Sequence, residues 1–170
     1  MRLFIIGYKS SGKTTLGKKL AERLKLDFID LDEFIEHQEG KTIPDVFLEG
    51  GEEEFRRKEW KALRQVIKRD NILVSTGGGV PCHCDNMSLM EKYGDVIYLK
   101  VDDEILVSRL KIASGHRPII KGKSEEELRV YLAALRHRCE HHYLRARYVI
   151  DGTRVEIEDI VEQVKNDNGI

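Results

Sequence analysis

The sequence is poor in cysteine, with only Cys82, Cys84 and Cys139 among its 170 residues. Because this number is small and odd, we expect no disulfide framework, and the fold must depend on a buried core. The triplet Cys82-His83-Cys84 has one residue between its cysteines, whereas zinc sites usually have two to four. The group of cysteine and histidines at 137–142 lies in a strong helical pattern, where Cys139 and His142 can face the core. We therefore expect no structural metal site.

The sequence also lacks long hydrophobic runs and an excess of one charge. No apolar run approaches the roughly 20 residues that cross a membrane, and Leu3-Phe4-Ile5-Ile6 is too short for a signal peptide. The 29 Lys and Arg residues balance 30 Asp and Glu residues, for a net charge of -1. This balance gives no reason to expect nucleic acid as a partner. Without repeats or an apolar surface stripe, we expect one cytoplasmic domain over residues 1–170, with a monomer as the default assembly.

The clearest motif is Gly7-Tyr8-Lys9-Ser10-Ser11-Gly12-Lys13-Thr14, which fits the phosphate-loop pattern. An apolar strand pattern precedes it, and leucines spaced four apart follow it, as in an amphipathic helix. The glycines allow backbone N–H groups to wrap a polyphosphate, aided by the positive end of the helix. We therefore predict nucleotide binding by Gly7, Ser10, Ser11, Gly12, Lys13, Thr14 and Thr15.

Two carboxylates follow the second predicted strand, Phe28-Ile29-Asp30. Ligands of open α/β sheets collect outside the carboxyl ends of strands. Asp30 and Asp32 are therefore candidates for binding a metal ion and a substrate. The alternative is that Asp32 only caps a helix that begins at Glu33.

A basic cluster and a glycine triplet are candidates for the second substrate. Arg56 lies in a helix predicted over about 52–68, and its planar guanidinium can bind a carboxylate with two hydrogen bonds. The alternative is a solvated helix face. The third predicted strand, residues 71–75, is followed by Thr76 and the triplet Gly77-Gly78-Gly79. Backbone exposed at this end of a strand favours close contact with a ligand over a merely flexible loop.

A polar, glycine-bounded segment near residues 113–124 contains Arg117, Lys121 and Lys123. It can be a lid that closes over phosphates, with Arg117 stabilising charge, or simply a solvated loop. A capping box at Ser124 then opens a long helix to about residue 145. Further strands are predicted at 95–101 and 148–151, and a last helix at 156–164. This alternation of strands and helices predicts one parallel three-layer α/β/α sandwich.

Together these motifs resemble the shikimate kinase family. The phosphate loop is shared by many kinases, but Asp30-x-Asp32, Phe55-Arg56, the glycine triplet and Arg117-Pro118 are discriminating in combination. The match runs from Met1 almost to the C-terminus. The resemblance implies a five-stranded parallel sheet, a nucleoside-monophosphate-kinase-like fold and a mobile lid. It also implies transfer of the ATP γ-phosphate to the 3-hydroxyl of shikimate, in aromatic amino-acid biosynthesis.

The resemblance implies a role for each donor-side residue. Lys13 would contact the ATP phosphates, and Thr14 would bind Mg²⁺, with Asp30 nearby through water. Arg117 would approach the phosphates on the lid. Arg109 occupies the place of an adenine contact, and Arg154 is a weaker candidate for that role.

On the acceptor side, Asp32 would contact the reacting hydroxyl, either as a base or only to orient it. Arg56, Arg138 and the glycines Gly77, Gly78 and Gly79 would hold shikimate, the arginines chiefly through its carboxylate. The family commonly has a Pro-Leu-Tyr-like run after the substrate arginine. Here Arg138 is followed by Cys139-Glu140-His141-His142-Tyr143, so Arg136 stays an alternative.

Two rival functions remain at this level. A different small-molecule kinase of similar fold could act on gluconate or a nucleotide, but a pair of arginines with Asp32 favours shikimate. A GTP-dependent switch would need the Asn-Lys-x-Asp motif for guanine, and the sequence contains no Asn-Lys.

Overall fold

The fold is built on a five-stranded parallel sheet. The computed structural model describes residues 1–113 and 122–169. The strands are β1 (Arg2–Ile6), β2 (Asp27–Asp30), β3 (Ile72–Ser75), β4 (Asp95–Lys100) and β5 (Tyr148–Asp151). Their order in the sheet is β2-β3-β1-β4-β5, with all neighbours parallel. The predicted five-stranded parallel sheet is confirmed.

Helices connect these strands. They are α1 (Lys13–Leu24), α2 (Leu31–Glu39), α3 (Ile43–Val66), α4 (Asn86–Tyr93), α5 (Asp103–Ala113), α6 (Glu125–Tyr143) and α7 (Ile157–Asn168), with a short 3₁₀ turn at Val80–Cys82. Among the described residues, no helix combines the length and apolar character needed to cross a bilayer. The predicted lid falls mainly on residues 114–121, so Arg117 lies outside the described residues.

The centre of the sheet is buried on both faces. Every residue of β3 is buried, and Leu3 to Ile6 of β1 have no exposed surface. Since successive strand residues point to opposite faces, burial of all of them requires a layer of structure on each side. On one of these faces α1 packs on β2 and β3 and also contacts α7.

Capping residues begin several helices, and one prediction here was wrong. The cap of α2 is Asp30, whose Oδ1 accepts hydrogen bonds from the backbone N–H of Asp32 at 3.1 Å and of Glu33 at 3.5 Å. Asp32 is therefore free of the capping role. The predicted capping box at Ser124 is confirmed. An aspartate directly before Asn86 also predicts a side-chain cap for α4, but Asp85, which occupies the cap position, makes no such hydrogen bond.

The helix α3 is continuous through most of its length but kinks at Gly51, where φ is +69°. The kink separates a first segment, capped by Thr42, from a longer one that carries Arg56. The sequence predicted two helices with a break at this glycine. A tryptophan in this helix predicts a core residue, but Trp60 is only half-buried, and the Arg64 guanidinium lies 3.7 Å from its ring centroid.

The inward face of α6 differs slightly from the prediction. Leu128, Leu132 and Cys139 are buried as expected, but Leu135 and His142 are only half-buried. The next fully buried position is Tyr143, at 1% exposure. One turn beyond Cys139, the helix therefore places a tyrosine, and not a histidine, in the interior.

Candidate active site

A cavity of about 380 Å³ lies at the carboxyl edge of the sheet, where β1, β2 and β3 end. The phosphate loop follows β1, the two carboxylates follow β2, and the glycine triplet follows β3. Parallel strands place these three segments side by side. The predicted site residues that line the cavity are Ser10, Lys13, Thr14, Asp30, Asp32, Arg56, Gly77, Gly78, Gly79 and Arg138.

The phosphate loop is closely packed against the neighbouring strand. A Cβ at Gly7 would lie 2.8 Å from the Leu99 carbonyl oxygen, and its φ is +150°, so glycine is required there. Lys13 is 8% exposed, and its ammonium donates to the carbonyl oxygens of Gly7 at 2.9 Å and Tyr8 at 2.8 Å. The charge is thus held inside the curve of the loop, where a polyphosphate would lie.

A hydroxyl oxygen and a carboxylate oxygen lie together beside the phosphate loop. The Thr14 hydroxyl donates to Asp30 Oδ2 at 2.7 Å. Hydroxyl and carboxylate oxygens are the hard ligands that Mg²⁺ prefers. This donor set fits a magnesium ion next to the phosphates.

The carboxylate of Asp32 also lines the cavity. Its Oδ1 is buried and makes no hydrogen bond among the described residues. Burial raises the pKa of Asp32, and the neighbouring charge of Asp30 raises it further, while Lys13 and Lys9 oppose the increase. A carboxylate in this setting can accept a hydrogen bond from a substrate hydroxyl.

A second buried carboxyl group, Glu59, lies next to Asp32. A Cβ at Gly77 would lie 2.9 Å from both Asp32 Oδ1 and Glu59 Oε1, so the two side chains converge on this glycine. Glu59 is 1% exposed. Burial raises its pKa to about 7, although Arg56 lowers it. The sequence analysis did not identify Glu59.

Arg56 is held by two glutamates. Its Nη1 donates to Glu59 at 2.6 Å and its Nη2 to Glu52 at 3.2 Å. Its Nε is buried and has no partner in the described part of the chain. A Cβ at Gly79 would lie 2.6 Å from Arg56 Cζ, so the glycine backbone packs directly on the guanidinium. Arg56 and the third glycine therefore form one surface.

The two candidate arginines of α6 have different surroundings. Arg138 lines the cavity. Arg136 forms ion pairs with Asp103 and with Glu140, the latter at 3.0 Å, and its guanidinium lies 5.0 Å from the Tyr8 ring centroid. Of the two arginines, Arg138 is therefore the one that lines the cavity.

Glu140 joins the phosphate loop to α6 and was also missed by the sequence analysis. Its carboxylate accepts hydrogen bonds from the hydroxyls of Tyr8 at 2.5 Å and Tyr98 at 3.1 Å. Tyr143, one turn further on, donates its hydroxyl to the carbonyl oxygen of Gly78. The helix α6 therefore contacts both the phosphate loop and the glycine triplet.

Some predicted residues do not line the cavity. Arg109 donates to the carbonyl oxygen of Ser11 at 2.9 Å, which places it beside the phosphate loop. Arg154 is exposed in the turn after β5. Gly7, Ser11, Gly12 and Thr15 belong to the loop and the first turn of α1 without lining the cavity.

The sequence predicted no disulfide framework, but the described residues contain one disulfide. Cys82 and Cys139 are joined, with their Cα atoms 5.3 Å apart, and Cys84 is free and exposed. The bond connects the turn after the glycine triplet to α6, next to Arg138. Cysteine counting missed it because an odd total does not prevent two of the cysteines from pairing.

Comparison with known proteins agrees with this geometry. A family model described as shikimate kinase matches residues 9–167. The chain belongs to the shikimate kinase family. A shikimate kinase from Parabacteroides distasonis is 41% identical over 165 residues, covering 97% of this chain and 95% of the relative. The predicted family and its class of reaction, ATP-dependent phosphorylation, are confirmed.

Solved structures of shikimate kinases have the same fold. The structure from Bacteroides thetaiotaomicron has a TM-score of 0.90 and 37% identity, covering 100% of this chain and 99% of that one. A shikimate kinase from Acinetobacter baumannii in complex with shikimate has a TM-score of 0.85 and 28% identity, covering 99% and 93%. The predicted kinase fold is confirmed over the described residues.

Proposed function

We propose that this chain transfers the γ-phosphoryl group of ATP to the 3-hydroxyl of shikimate, and that the residues named above perform the reaction. One observation carries the assignment: a single cavity is lined by Lys13 of the phosphate loop, Asp32 and Arg56. It thus contains a cation for a phosphate, an acceptor for a hydroxyl and a cation for a carboxylate. Shikimate has one carboxylate and three hydroxyls, which such a cavity suits.

The donor half uses the phosphate loop. Backbone N–H groups of the loop and the start of α1 bind the phosphates. Lys13 exchanges its contacts with the Gly7 and Tyr8 carbonyls for phosphate oxygens. Thr14 and Asp30 would hold Mg²⁺, which when bound neutralises charge on the phosphates. Arg109, next to the loop, is the proposed adenine contact, with Arg154 second.

The acceptor half uses α3, α6 and the glycine triplet. Arg56 and Arg138 bind the shikimate carboxylate, and the half-buried backbone at residues 77–79 completes this contact. The partnerless Oδ1 of Asp32 accepts a hydrogen bond from the 3-hydroxyl. Because burial raises the pKa of Asp32, the carboxylate can take the hydroxyl proton as the new O–P bond forms.

Catalysis then depends mainly on alignment and charge stabilisation. Both substrates lie in one cavity, so the hydroxyl oxygen is held towards the γ-phosphorus. From the sequence, Arg117 on the lid would add a positive charge to the transferring group and exclude water. The proposal also includes a cytoplasmic location and a monomeric assembly state. Gel filtration of the purified chain tests the assembly state.

An acceptor panel tests the proposed activity. The purified chain is incubated with ATP, Mg²⁺ and shikimate, gluconate or a nucleoside monophosphate, and the products are identified by phosphorus NMR. We expect phosphorylation of shikimate at the 3-position and little of the other acceptors. Turnover of gluconate or a nucleotide with shikimate ignored would overturn the proposal.

A further inference from the structure

The disulfide between Cys82 and Cys139 lies at the acceptor end of the cavity, and the reaction itself does not use it. We propose that these cysteines form a reversible dithiol–disulfide site whose oxidation state sets the affinity for the acceptor. This inference rests on the proposed function, because it takes Arg138 and Gly79 as contacts of the shikimate carboxylate.

The position of each cysteine supports a link to the acceptor. Cys139 directly follows Arg138 on α6. Cys82 ends the 3₁₀ turn that begins after Gly79, and its N–H donates to the Gly79 carbonyl oxygen at 3.0 Å. The bond therefore joins the two segments that would bind the same carboxylate from different sides. Fixing their separation pre-organises the site, and pre-organisation lowers the cost of binding.

The exposure of the two sulfur-bearing side chains differs. Cys139 is 2% exposed, whereas Cys82 is only half-buried. A thiolate from solvent can therefore attack the Cys82 sulfur and release the Cys139 thiolate. When the reductant is a dithiol, its second thiol then displaces Cys82. The protein gains two thiols, and the reductant loses two hydrogens and becomes a cyclic disulfide. A small disulfide oxidant reverses both exchanges.

Reduction should weaken the acceptor site without abolishing it. The hydrogen bond from the Tyr143 hydroxyl to the Gly78 carbonyl still connects α6 with the glycine triplet. Shikimate binding must then order the released segments, and this ordering costs free energy. The cost of ordering one side chain corresponds to about a three- to tenfold weaker affinity. Lys13 and Thr14 lie on α1, away from the bond, so the KM for ATP should change by less than about twofold.

The experiment compares the full chain equilibrated with reduced or oxidised dithiothreitol. Thiols are counted with Ellman's reagent in denaturant, and shikimate affinity is measured as KM and by titration calorimetry. We expect three thiols after reduction and one after oxidation. The KM for shikimate should be about three- to tenfold higher in the reduced protein.

Cysteine variants distinguish the effect of the Cys82–Cys139 bond from other effects of the redox buffers. Cys82→Ser and Cys139→Ala should each have the KM for shikimate of the reduced protein in both buffers. If Cys139→Ala does not fold, because Cys139 is buried, Cys82→Ser alone is sufficient. Cys84→Ser is the matched control and should respond like the unmodified chain.

Three thiols in the oxidising buffer would overturn the proposal, and so would equal shikimate affinity in both states. A response that persists in Cys82→Ser would overturn it as well. Absence of turnover in both states would count against the proposed function instead. In that case calorimetry still measures whether shikimate affinity follows the bond.

Discussion

At the scale of single residues, Arg56 determines how the acceptor end of the cavity is charged. Its guanidinium is fixed by Glu59 on one side and packs on the Gly79 backbone on the other. Its Nε has no hydrogen-bond partner in residues 1–113 and 122–169, and it is a donor that a ligand could use. These contacts depend on the planar shape of the guanidinium, so a lysine at position 56 could not form them all.

Replacing Arg56 with alanine should raise the KM for shikimate about tenfold to a hundredfold, because a charge-assisted contact of roughly 1.5–3 kcal/mol is lost. Steady-state kinetics at saturating ATP measure this effect. Arg57→Ala is the matched control, since Arg57 pairs with Glu54 on the exposed face. Circular dichroism checks folding, because the substitution also leaves Glu59 without its ion pair. An unchanged KM in Arg56→Ala would exclude Arg56 from the site.

Glu59 should make stability depend on pH in a specific direction. Its pKa rises from 4.5 to about 7 on folding, so the folded state binds more protons than the unfolded state between these values. The free energy of unfolding should therefore fall as pH rises from about 4.5 to 7. Relative to Glu59→Gln, which cannot titrate, the loss should be about 2 to 3 kcal/mol.

Urea unfolding at a series of pH values measures this difference. Glu52→Gln removes the other carboxylate partner of Arg56 from a more exposed position, and it reports any general effect of losing a partner. Parallel stability curves for the unmodified chain and Glu59→Gln would contradict the account.

At the scale of elements, α6 differs from the pattern that the sequence resemblance implies. Residues 139–143 replace the expected Pro-Leu-Tyr-like run, and the structure gives three of them contacts. Cys139 is bonded to Cys82, Glu140 accepts the tyrosine hydroxyls, and Tyr143 donates to Gly78. The helix is thus held against the glycine triplet and the phosphate loop by contacts of its own.

The two arginines of α6 should respond differently to substitution. Arg138→Ala should raise the KM for shikimate about tenfold or more, because Arg138 lines the cavity and a contact to a charged group is lost. Arg136→Ala serves as the matched control and should change that KM less, since Arg136 pairs with Asp103 and Glu140. Steady-state kinetics on both variants decide which of the two arginines binds shikimate. A larger effect on shikimate KM at Arg136 would reverse the assignment.

The sequence predicts the elements that local patterns determine. The strands, the phosphate loop and the capping box at Ser124 follow from periodicity and from residues a few positions apart. Capping of α2 by Asp32 was only an alternative from the sequence, because Asp30 and Asp32 are both acceptable caps, and the fold decides for Asp30. Glu59 had a signal, because it lies three residues after Arg56 on one helix.

Other contacts of the site depend on chain segments far apart in sequence. Cys82 and Cys139 are separated by 57 residues, and Tyr8 and Glu140 by 132. No periodicity or spacing indicates such pairs, since they arise only when α6 is laid against the sheet edge. The same is true for the choice between Arg136 and Arg138, which lie two residues apart on a helix.

At the scale of the whole molecule, the strand order explains why one cavity can serve two substrates. Strands β2, β3 and β1 are neighbours, so their carboxyl ends place Asp30, the glycine triplet and the phosphate loop beside one another. The helices α3 and α6 then bring in the arginines. In the proposed reaction the donor half combines the phosphate loop with Asp30, and the acceptor half combines four separate segments that carry Asp32, Arg56, the glycine triplet and Arg138.

The central claim is that this cavity couples ATP cleavage to the presence of shikimate. The most direct measurement is the rate of ADP release with and without shikimate, using Lys13→Ala as the inactive variant and Lys19→Ala, an exposed lysine of the same helix, as its control. We expect release to rise by about two orders of magnitude or more when shikimate is added, because the acceptor is then aligned with the phosphate. ADP release at the same rate without shikimate, or undiminished in Lys13→Ala, would contradict the account.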